Sequence, residues 1–474
     1  MMLEKNTIKK NFIYNAAFQL SGIAIPIITL PYLTRVLHAK GMGIYSYSYS
    51  IAYYFYIFIR LGLHSYGNRS IAYVKGDKDK LSKVFWEIYA FQVFMGIVSL
   101  FVYLIYCLLL SNNTILSFIF FLVVLSGMFD LTWLLNGLEE FKITSIRDIL
   151  TKIITALCIF VFVQSEDDVG KYALIYSLGF FVSQIVVLPI ISKKIYFIRP
   201  KLNEVVLHIK PNLVLFLPTV AVSFYKTMDK ILLGLLSSEV ELGYYHSSEN
   251  IIKVPLALIT ALGTVMLPRM SNMLSVGVKK EDVENIFDKS LVFALFISSL
   301  TCFEIMTVAK ELVPLFYGEE FVRCVELFYI ILPSCIFVAF ANVIRTQYLL
   351  PRKMDKIFVL SLFSGAIANV LLDIVLIPKY GSIGAALGTF TAEALVCVFQ
   401  SVAVYKEANI GRNFMNVLPY VFSGLIMFVV FMNYKTTIGN NILALLVKVV
   451  FSVAFYFIVL LVTIASKRVI IRKK

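Results

Sequence analysis

The sequence predicts an all-α polytopic membrane protein with about fourteen transmembrane helices, and three observations carry this prediction. Of its 474 residues, 59% are hydrophobic and 15% are charged, whereas soluble domains average about 45–50% and about 25%. Apolar runs of about 20 residues, the length that crosses a bilayer as a helix, recur along the whole chain. Lys and Arg are concentrated in every second connection between these runs, as the positive-inside rule requires of cytoplasmic loops.

The apolar runs place the helices in order along the chain. The first six predicted segments are 11–36, 43–63, 84–110, 115–136, 148–164 and 170–191. The next six are 211–236, 243–268, 290–313, 325–349, 356–377 and 382–404, and a final pair is 414–432 and 441–465. The fifth segment is the shortest. Because the number of spans is even, the basic connections place both the N- and the C-terminus in the cytoplasm.

A basic connection at 192–210 divides the first twelve helices into two sets of six. DDVGKYALIYSLGFFVSQIVV leads through helix six and PKYGSIGAALGTFTAEALVCV through helix twelve, each with a glycine-containing turn before small residues. Two apolar helices can look alike by chance, but parallel six-helix repeats would place a central site between two lobes. The predicted parts are an N-terminal lobe, a linker, a C-terminal lobe, and two further helices with a basic tail: 1–191, 192–210, 211–404 and 405–474.

Three ionisable residues interrupt the seventh segment, Lys226, Asp229 and Lys230 in FYKTMDKILLG. Spacings of three and four put Lys226 beside both others. The next helix carries Glu249 and Lys253 at a matching depth after a turn near residue 240. A charge at the bilayer centre costs about 2.5–3.5 kcal/mol on insertion scales, so such groups normally face a bundle interior or a wet cavity. Three cations against two anions predict a lumen-facing network with excess positive charge; in the alternative, the lysines snorkel to the interface.

Three other ionisable residues lie near the ends of predicted spans. Arg60 and Arg345 fall near the cytoplasmic ends of helices two and ten, where each is either a membrane anchor or a substrate contact. Asp373 falls near the outer end of helix eleven and is expected to be a solvated cap.

Three carboxylates are candidates for coupling transport to an H+ or Na+ gradient. Glu304 and Glu393 fall near mid-membrane, where neither side chain can reach the interface. Each must be paired, face water or be protonated. Asp130 is the third intramembrane candidate. A paired structural role is the alternative reading for all of them.

Four tyrosines form a stripe along helix two, in GIYSYSYSIAYYFYIFIRLGL. Tyr45, Tyr49, Tyr53 and Tyr56 recur at spacings of four, four and three, which places them on one helix face. A tyrosine ring combines a flat apolar face with a hydroxyl, which suits stacking against a sugar. Packing between helices and an interfacial aromatic belt are equally open explanations.

The sequence also excludes several classes of protein. The net charge of +14 comes from basic residues between apolar runs, so it does not indicate nucleic-acid binding. The six cysteines are scattered and form no metal or disulfide pattern. There is no GxxxxGK[ST], HExxH or GxSxG motif. We therefore expect a transporter rather than an enzyme, without a metal or an organic cofactor, driven by its substrate gradient or by H+ or Na+.

Several stretches together resemble the bacterial oligosaccharide flippases, the Wzx-type exporters of O-antigen and capsule repeat units in the MOP/MATE-like superfamily. These stretches are NAAFQLSGIAIPIITLPYLTRVLHAKGMGIYSYSYSI (15–51), MDKILLGLLSSEVELGYYHSSENIIKVP (228–255), VPLFYGEEF (313–321) and IPKYGSIGAALGTFTAE (377–393). The resemblance covers nearly the whole chain. Each motif is loose, and their order and spacing make the match specific.

The resemblance implies two lobes around a central cavity that opens alternately to each face of the bacterial cytoplasmic (inner) membrane. It implies a substrate of undecaprenyl diphosphate carrying an oligosaccharide repeat unit, moved from the inner to the outer leaflet. Membrane lipids, a polysaccharide polymerase and a chain-length regulator would be its partners. The expected contacts to the anionic headgroup and sugars are Arg35, Arg60, Lys226, Lys230, Lys253, Arg345, Tyr49 and Tyr53.

The family pattern matches Arg35 in LPYLTRVL, Asp229 and Lys230 in DKILLG, and Glu393 at the end of GAALGTFTAE. Arg60 in FIRLGL departs from it, because many relatives have a neutral or acidic residue there. The main alternative is an ion-coupled antiporter for drugs or organic cations, which would carry uncompensated carboxylates in its cavity. A polymerase or ligase would be expected to carry a large external loop, and the longest predicted outside loop is about a dozen residues.

Overall fold

The computed structural model is mainly α-helical. It describes residues 2–434 and 441–472, with the side chains at 2–13, 15, 16, 225, 226 and 467–472 left undescribed. The described residues contain no strand, which confirms the all-α prediction. The chain forms two compact units, Met1–Gly234 and Leu235–Lys474. The sequence-based division into lobes and a linker at 192–210 stays a prediction.

The first unit begins with a long helix that contains a break. Backbone at His38 is non-helical (φ 57°, ψ 178°), so α1 comprises two helices. The helices of this unit are α1 (Met2–Arg60), α2 (Leu63–Val74), α3 (Lys78–Leu109), α4 (Thr114–Phe129), α5 (Thr132–Gly137), α6 (Phe141–Phe162), α7 (Val169–Ile185), α8 (Leu188–Ile191) and α9 (Leu202–Leu236).

The second unit is built in the same all-helical manner. A π-helical turn, Arg345–Leu349, follows α14 directly. The helices are α10 (Glu239–Ser275), α11 (Lys280–Thr307), α12 (Ala309–Tyr317), α13 (Arg323–Ile331), α14 (Ser334–Ile344), α15 (Asp355–Tyr380), α16 (Ser382–Ala403), α17 (Ile410–Phe431) and α18 (Asn441–Arg472).

The predicted spans all fall on these helices. Among the described residues, eleven helices are long and apolar enough to cross a membrane, and a bent pair, Glu319–Ile331 with Ser334–Leu349, adds a twelfth if it forms one span. The first of the eleven contains two predicted spans that meet at His38. The predicted fifth span corresponds to α6, which is more polar because it carries Arg147, Asp148 and Lys152. The structure is thus consistent with about fourteen spans.

Large apolar side chains are exposed along one side of many helices. On α3, the exposed fractions of Phe94, Ile97, Phe101 and Leu108 are 60%, 59%, 64% and 62%. Spacings of three, four and seven put them on one face. A soluble monomer rarely exposes so large a contiguous apolar surface. These faces are therefore lipid-facing, and the chain is a multi-span membrane protein.

One helix of the first unit was not predicted. α2 is amphipathic, and its buried residues Leu63, Gly67 and Ile71 recur every four positions. They pack in a hydrophobic cluster with Trp133 of α5. A methyl group added at Gly67 would lie 2.6 Å from a ring carbon of Trp133, so this glycine sets the distance between the two helices.

Asp77 caps the helix that follows α2. Its carboxylate accepts hydrogen bonds from the backbone N–H groups of Asp79 and Lys80, both at 3.1 Å. The bond from the backbone of Lys80 is the main reason that the pKa of Asp77 is lowered. The Asp77 cap and the hydrophobic cluster around Trp133 together fix where the chain turns between α2 and α3.

We expect Gly67→Ala to destabilise the protein, because the added methyl group overpacks the contact with Trp133. Overpacking typically costs about 1–3 kcal/mol. Thermal unfolding of the purified protein in detergent, followed by tryptophan fluorescence, measures the effect. Gly170→Ala on α7 is the matched control, since its nearest neighbour is 4.0 Å away. An unchanged melting temperature for Gly67→Ala would contradict the packing described here.

Candidate functional site

A charged pair lies at the end of the second half of α1. The Nε atom of Arg60 is 2.9 Å from Oδ2 of Asp130, whose side chain is 3% exposed. Tyr56 donates a hydrogen bond of 2.5 Å to the same carboxylate. The Arg60 guanidinium carbon also lies 5.3 Å from the centroid of the Tyr56 ring. Two residues that the sequence analysis considered separately, one for substrate and one for ion coupling, therefore form a partly buried ion pair.

The tyrosine stripe of α1 packs against α7. The rings of Tyr49 and Tyr53 stack at 5.6 Å between centroids. Tyr176 of α7 meets the Tyr49 ring edge-on at 5.4 Å, and Tyr172 lies 4.2 Å from Tyr45. Tyr45 is buried, whereas Tyr49 and Tyr53 stay half-buried. The stripe has a packing role, and its middle rings retain accessible surface.

The α7 half of this aromatic cluster was missed by sequence analysis. Tyr172, Tyr176 and Phe180 recur every four residues in YALIYSLGF, which is the spacing of one helix face. The Phe180 ring lies 5.2 Å from that of Tyr56. The same periodicity argument would have marked this face of α7 as a second aromatic stripe, but it could not have shown that the two stripes meet.

The charges of α9 lie in the first unit. Asp229 is 1% exposed, and Lys230 is half-buried. Nearly two turns earlier, the backbone oxygen of Ser223 accepts a 3.0 Å hydrogen bond from Tyr54 of α1. The side chain of Lys226 lies outside the described residues. The burial of Asp229 shows that its carboxylate faces protein and not lipid.

The first part of α9 was predicted to lie in the cytoplasm. A polar network that the sequence analysis did not find connects it to α2 and α3. Tyr66 of α2 and the Nδ1 atom of His208 are 2.6 Å apart, and the Nε2 atom of His208 is 2.9 Å from Glu87 of α3. Lys83 of α3 donates a 2.7 Å hydrogen bond to Glu204. Glu204 and His208 lie in the polar connection at 192–210, where charged residues are common, so the sequence did not single them out.

The remaining predicted cations are more accessible. Arg35 is exposed and donates to the backbone oxygen of Pro31 at 3.0 Å. In the second unit, Lys253 of α10 is exposed and donates to Asn250 at 2.8 Å, while Glu249 is half-buried.

Arg345 marks a change in helix type. It is half-buried, with its guanidinium carbon 5.8 Å from the centroid of the Phe358 ring. It begins the π-helical turn. π-helical turns are rare and frequently occur at functional sites.

The coupling candidates of the second unit differ from one another. Ser452 of α18 donates to both carboxylate oxygens of Glu304, at 2.8 and 2.9 Å. One turn away, Lys448 is 1% exposed and its Nζ lies 2.7 Å from Glu311 of α12. These contacts fasten α18 to α11 and α12. Glu393 of α16 is half-buried within its helix.

The expectation that Asp373 is a solvated cap is wrong. Asp373 is 0% exposed. It lies on α15 facing α16, where a methyl group added at Gly388 would come within 2.2 Å of its Oδ1 atom. The absence of a side chain at Gly388 lets the carboxylate approach α16 closely, which an outer-end position in the sequence could not reveal.

Comparisons with known proteins point in one direction. A family model described as "Polysaccharide biosynthesis protein" matches residues 8–274, more than half of the chain. The "Putative O-antigen transporter" of Escherichia coli (strain K12) is 24% identical over 401 residues, covering 84% of this chain and 96% of that protein.

Two solved structures share the fold. The structure of "Lipid II flippase MurJ, inward closed conformation" has a TM-score of 0.76 at 15% identity, and covers 97% of this chain and 100% of its own. An inward-facing "multidrug resistance MATE family transporter of the MOP superfamily" has a TM-score of 0.61 at 13% identity, covering 83% and 99%. At these identities the likeness shows the fold alone.

We expect Lys448→Met to destabilise the second unit, because it leaves Glu311 without its cation. Breaking a buried pair costs about 3–5 kcal/mol, and the cost here should be smaller because Glu311 is 32% exposed. Unfolding can be followed with a thiol-reactive fluorophore, since Cys324 and Cys335 of this unit are 0% exposed when folded. Lys448→Met combined with Glu311→Gln should recover part of the loss. Strictly additive losses in the double variant would show that the pair does not interact.

Proposed function

Because this chain belongs to the polysaccharide biosynthesis protein family, we propose that it is a flippase for lipid-linked oligosaccharides. The family match and the O-antigen transporter relative support this function. The fold shared with the MurJ structure is compatible with this function. These relatives are transporters and flippases, which agrees with the expectation that the chain is not an enzyme.

The substrate we propose is an undecaprenyl-diphosphate-linked repeat unit for O-antigen or capsule-type polysaccharide. The observation that carries this proposal is the exposure of Lys253 within a helix apolar enough to span the membrane. A cation in such a span is costly unless it faces water or an anion. A diphosphate that crosses the apolar barrier needs such cations, and Arg35 and Arg345 are further candidates to supply them.

The mechanism we propose is alternating access, in which a cavity between two lobes of the protein opens in turn to each face of the bacterial inner membrane. Both termini lie in the cytoplasm in this proposal. For coupling to H+ or Na+, the candidates are Glu393, Glu304 and Asp130. Asp130 is paired with Arg60, and the Ser452 hydroxyl is shared between the two carboxylate oxygens of Glu304. Glu393 is half-buried on a helix apolar enough to span the membrane, and it is the candidate tested below. A polysaccharide polymerase and a chain-length regulator are the partners that this pathway implies.

The alternative, an antiporter for drugs or organic cations, shares the fold of the MATE structure. An organic cation requires carboxylates that are left uncompensated. Here Asp130 and Glu311 each face a basic side chain, and Lys253 is exposed. The distribution of charge favours an anionic substrate.

We expect Lys253→Ala to abolish surface polysaccharide while leaving folded protein at wild-type level, because the diphosphate loses a counter-charge. The assay is complementation of a strain that lacks its native flippase, with an immunoblot for polysaccharide and extraction of inner-leaflet lipid-linked intermediates. Lys226→Ala should act in the same way. Lys279→Ala, an exposed residue before α11, is the matched control. Normal polysaccharide in both Lys253→Ala and Lys226→Ala would exclude these two lysines from substrate binding.

We expect Glu393→Gln to reduce transport several-fold only when an ion gradient is imposed, because the variant cannot exchange a proton or bind Na+ as a carboxylate does. Proteoliposomes that contain the protein and a fluorescent lipid-linked oligosaccharide, with and without H+ and Na+ gradients, provide the measurement. Glu239→Gln, at the start of α10, is the control. If wild-type protein and Glu393→Gln respond equally to both gradients, Glu393 has no part in coupling.

A further inference from the structure

A cavity with both polar and apolar walls lies entirely within the second unit. Its volume is about 280 Å³. The end of α10, the start of α11, the π-helical turn with the residues after it, and the connection before α17 surround it. All of these connections are predicted to be cytoplasmic. None of its lining residues belongs to the charged residues proposed above for the lipid headgroup or for ion coupling.

The most informative lining residue is Gln347. It is 0% exposed, and neither its amide nitrogen nor its amide oxygen has a hydrogen-bond partner among the described residues. Burying an amide without partners is costly. Gln347 also sits in the π-helical turn Arg345–Leu349, a backbone form that is frequent at functional sites. A ligand that offers both an acceptor and a donor at this wall would satisfy the amide, which the described residues around it leave unpaired.

The charged residues around the cavity balance one another. Lys280 lies 3.7 Å from Glu284. Asp288 is paired with Arg412 at 2.7 Å. The rim thus has no large excess of either sign to attract a phosphate or an organic cation.

The remaining wall combines hydrogen-bonding groups with an aromatic ring. Tyr348 donates a 2.7 Å hydrogen bond to Glu407, and the guanidinium carbon of Arg352 lies 3.7 Å from the centroid of the Tyr348 ring. Phe287 and Met270 supply apolar surface. Against a ligand with several hydroxyl groups, the carboxylates can accept hydrogen bonds and the guanidinium can donate them. The apolar side chains can cover the C–H faces of the ligand's ring.

We propose that this cavity binds a single uncharged pyranose. Its volume lies just below the about 300–1,000 Å³ of pockets for drug-sized ligands, so it fits one sugar ring and not a whole repeat unit. The sugar could come from two sources that share this chemistry, a free cytoplasmic sugar or the outermost residue of a lipid-linked glycan at the cytoplasmic face.

The test uses the full-length protein in lipid nanodiscs and saturation-transfer NMR with glucose, galactose and N-acetylglucosamine. Glucose 6-phosphate and choline are the charged comparisons. We expect at least one neutral sugar to bind. Gln347→Leu should weaken its binding about tenfold or more, because the sugar hydroxyls that bond to the amide would be left without partners. The control is Gln400→Leu, which removes another buried glutamine of the same unit outside this cavity. Absence of binding by all three neutral sugars, or equal binding of the charged compounds, would overturn the proposal.

Further variants keep the result decisive. If Gln347→Leu does not fold, Glu284→Gln and Glu407→Gln at the rim should each weaken sugar binding several-fold, and unchanged binding in both would reject the site. Lys253→Ala should leave free-sugar binding unchanged. Loss of binding in Lys253→Ala but not in Gln347→Leu would assign the sugar to the transport route instead.

The two sources are separated by the flipping assay in proteoliposomes. If the ligand is a residue of the lipid-linked glycan, Gln347→Leu slows flipping without any free sugar present. If the ligand is a free sugar, flipping by Gln347→Leu matches wild type until that sugar is added. The binding assay does not require transport. A negative binding result would therefore leave the proposed flippase function intact, and a negative flipping result would leave the sugar site intact.

Discussion

The cost of placing a charge in hydrocarbon governs how this protein uses its ionisable side chains. Within the spans, a charged group is stable only beside a partner, against water or close to an interface. Arg60 meets Asp130, and Lys448 meets Glu311 across helices that are far apart in sequence. These pairs join helices, and their charges largely cancel. Arg35 and Lys253 are exposed, and they are the cations proposed above to meet an anionic substrate.

The same constraint explains why helix packing depends on small residues. In lipid there is little hydrophobic drive between helices, so close approach of backbones and polar contacts must hold them together. Gly388 admits the carboxylate of Asp373 between α15 and α16, and Gly424 of α17 lies directly against Phe303 of α11. Polar groups buried in this way act as specific joints between helices, and their positions are set by the absence of a neighbouring side chain.

The sequence predicted the membrane helices well because a span must be about 20 residues long and apolar, which is a local property. It missed α2 because that helix is amphipathic and too short to span, with Leu63, Gly67 and Ile71 as its only buried face. It also missed the ion pairs, since Arg60 and Asp130 are seventy positions apart and loop charge carries no information on helix contacts. The tyrosine stripe was visible from periodicity, but its partner helix α7 required knowledge of which helices meet.

The arrangement of α9 bears on how a two-unit transporter of this kind could move. Hydrogen bonds at Glu204, His208 and the backbone oxygen of Ser223 hold α9 to α3 and α1 at several levels. The chain enters the second unit after Gly234, and α10 begins at Glu239. If the units move as bodies, the chain between them has few residues with which to absorb the change. Pro211 and Pro218 within α9 remove backbone hydrogen bonds from its interior, so bending there is the least costly way to relieve the strain. Asp229 and Lys230 lie between these prolines and the junction, so bending at the prolines would carry both residues with it.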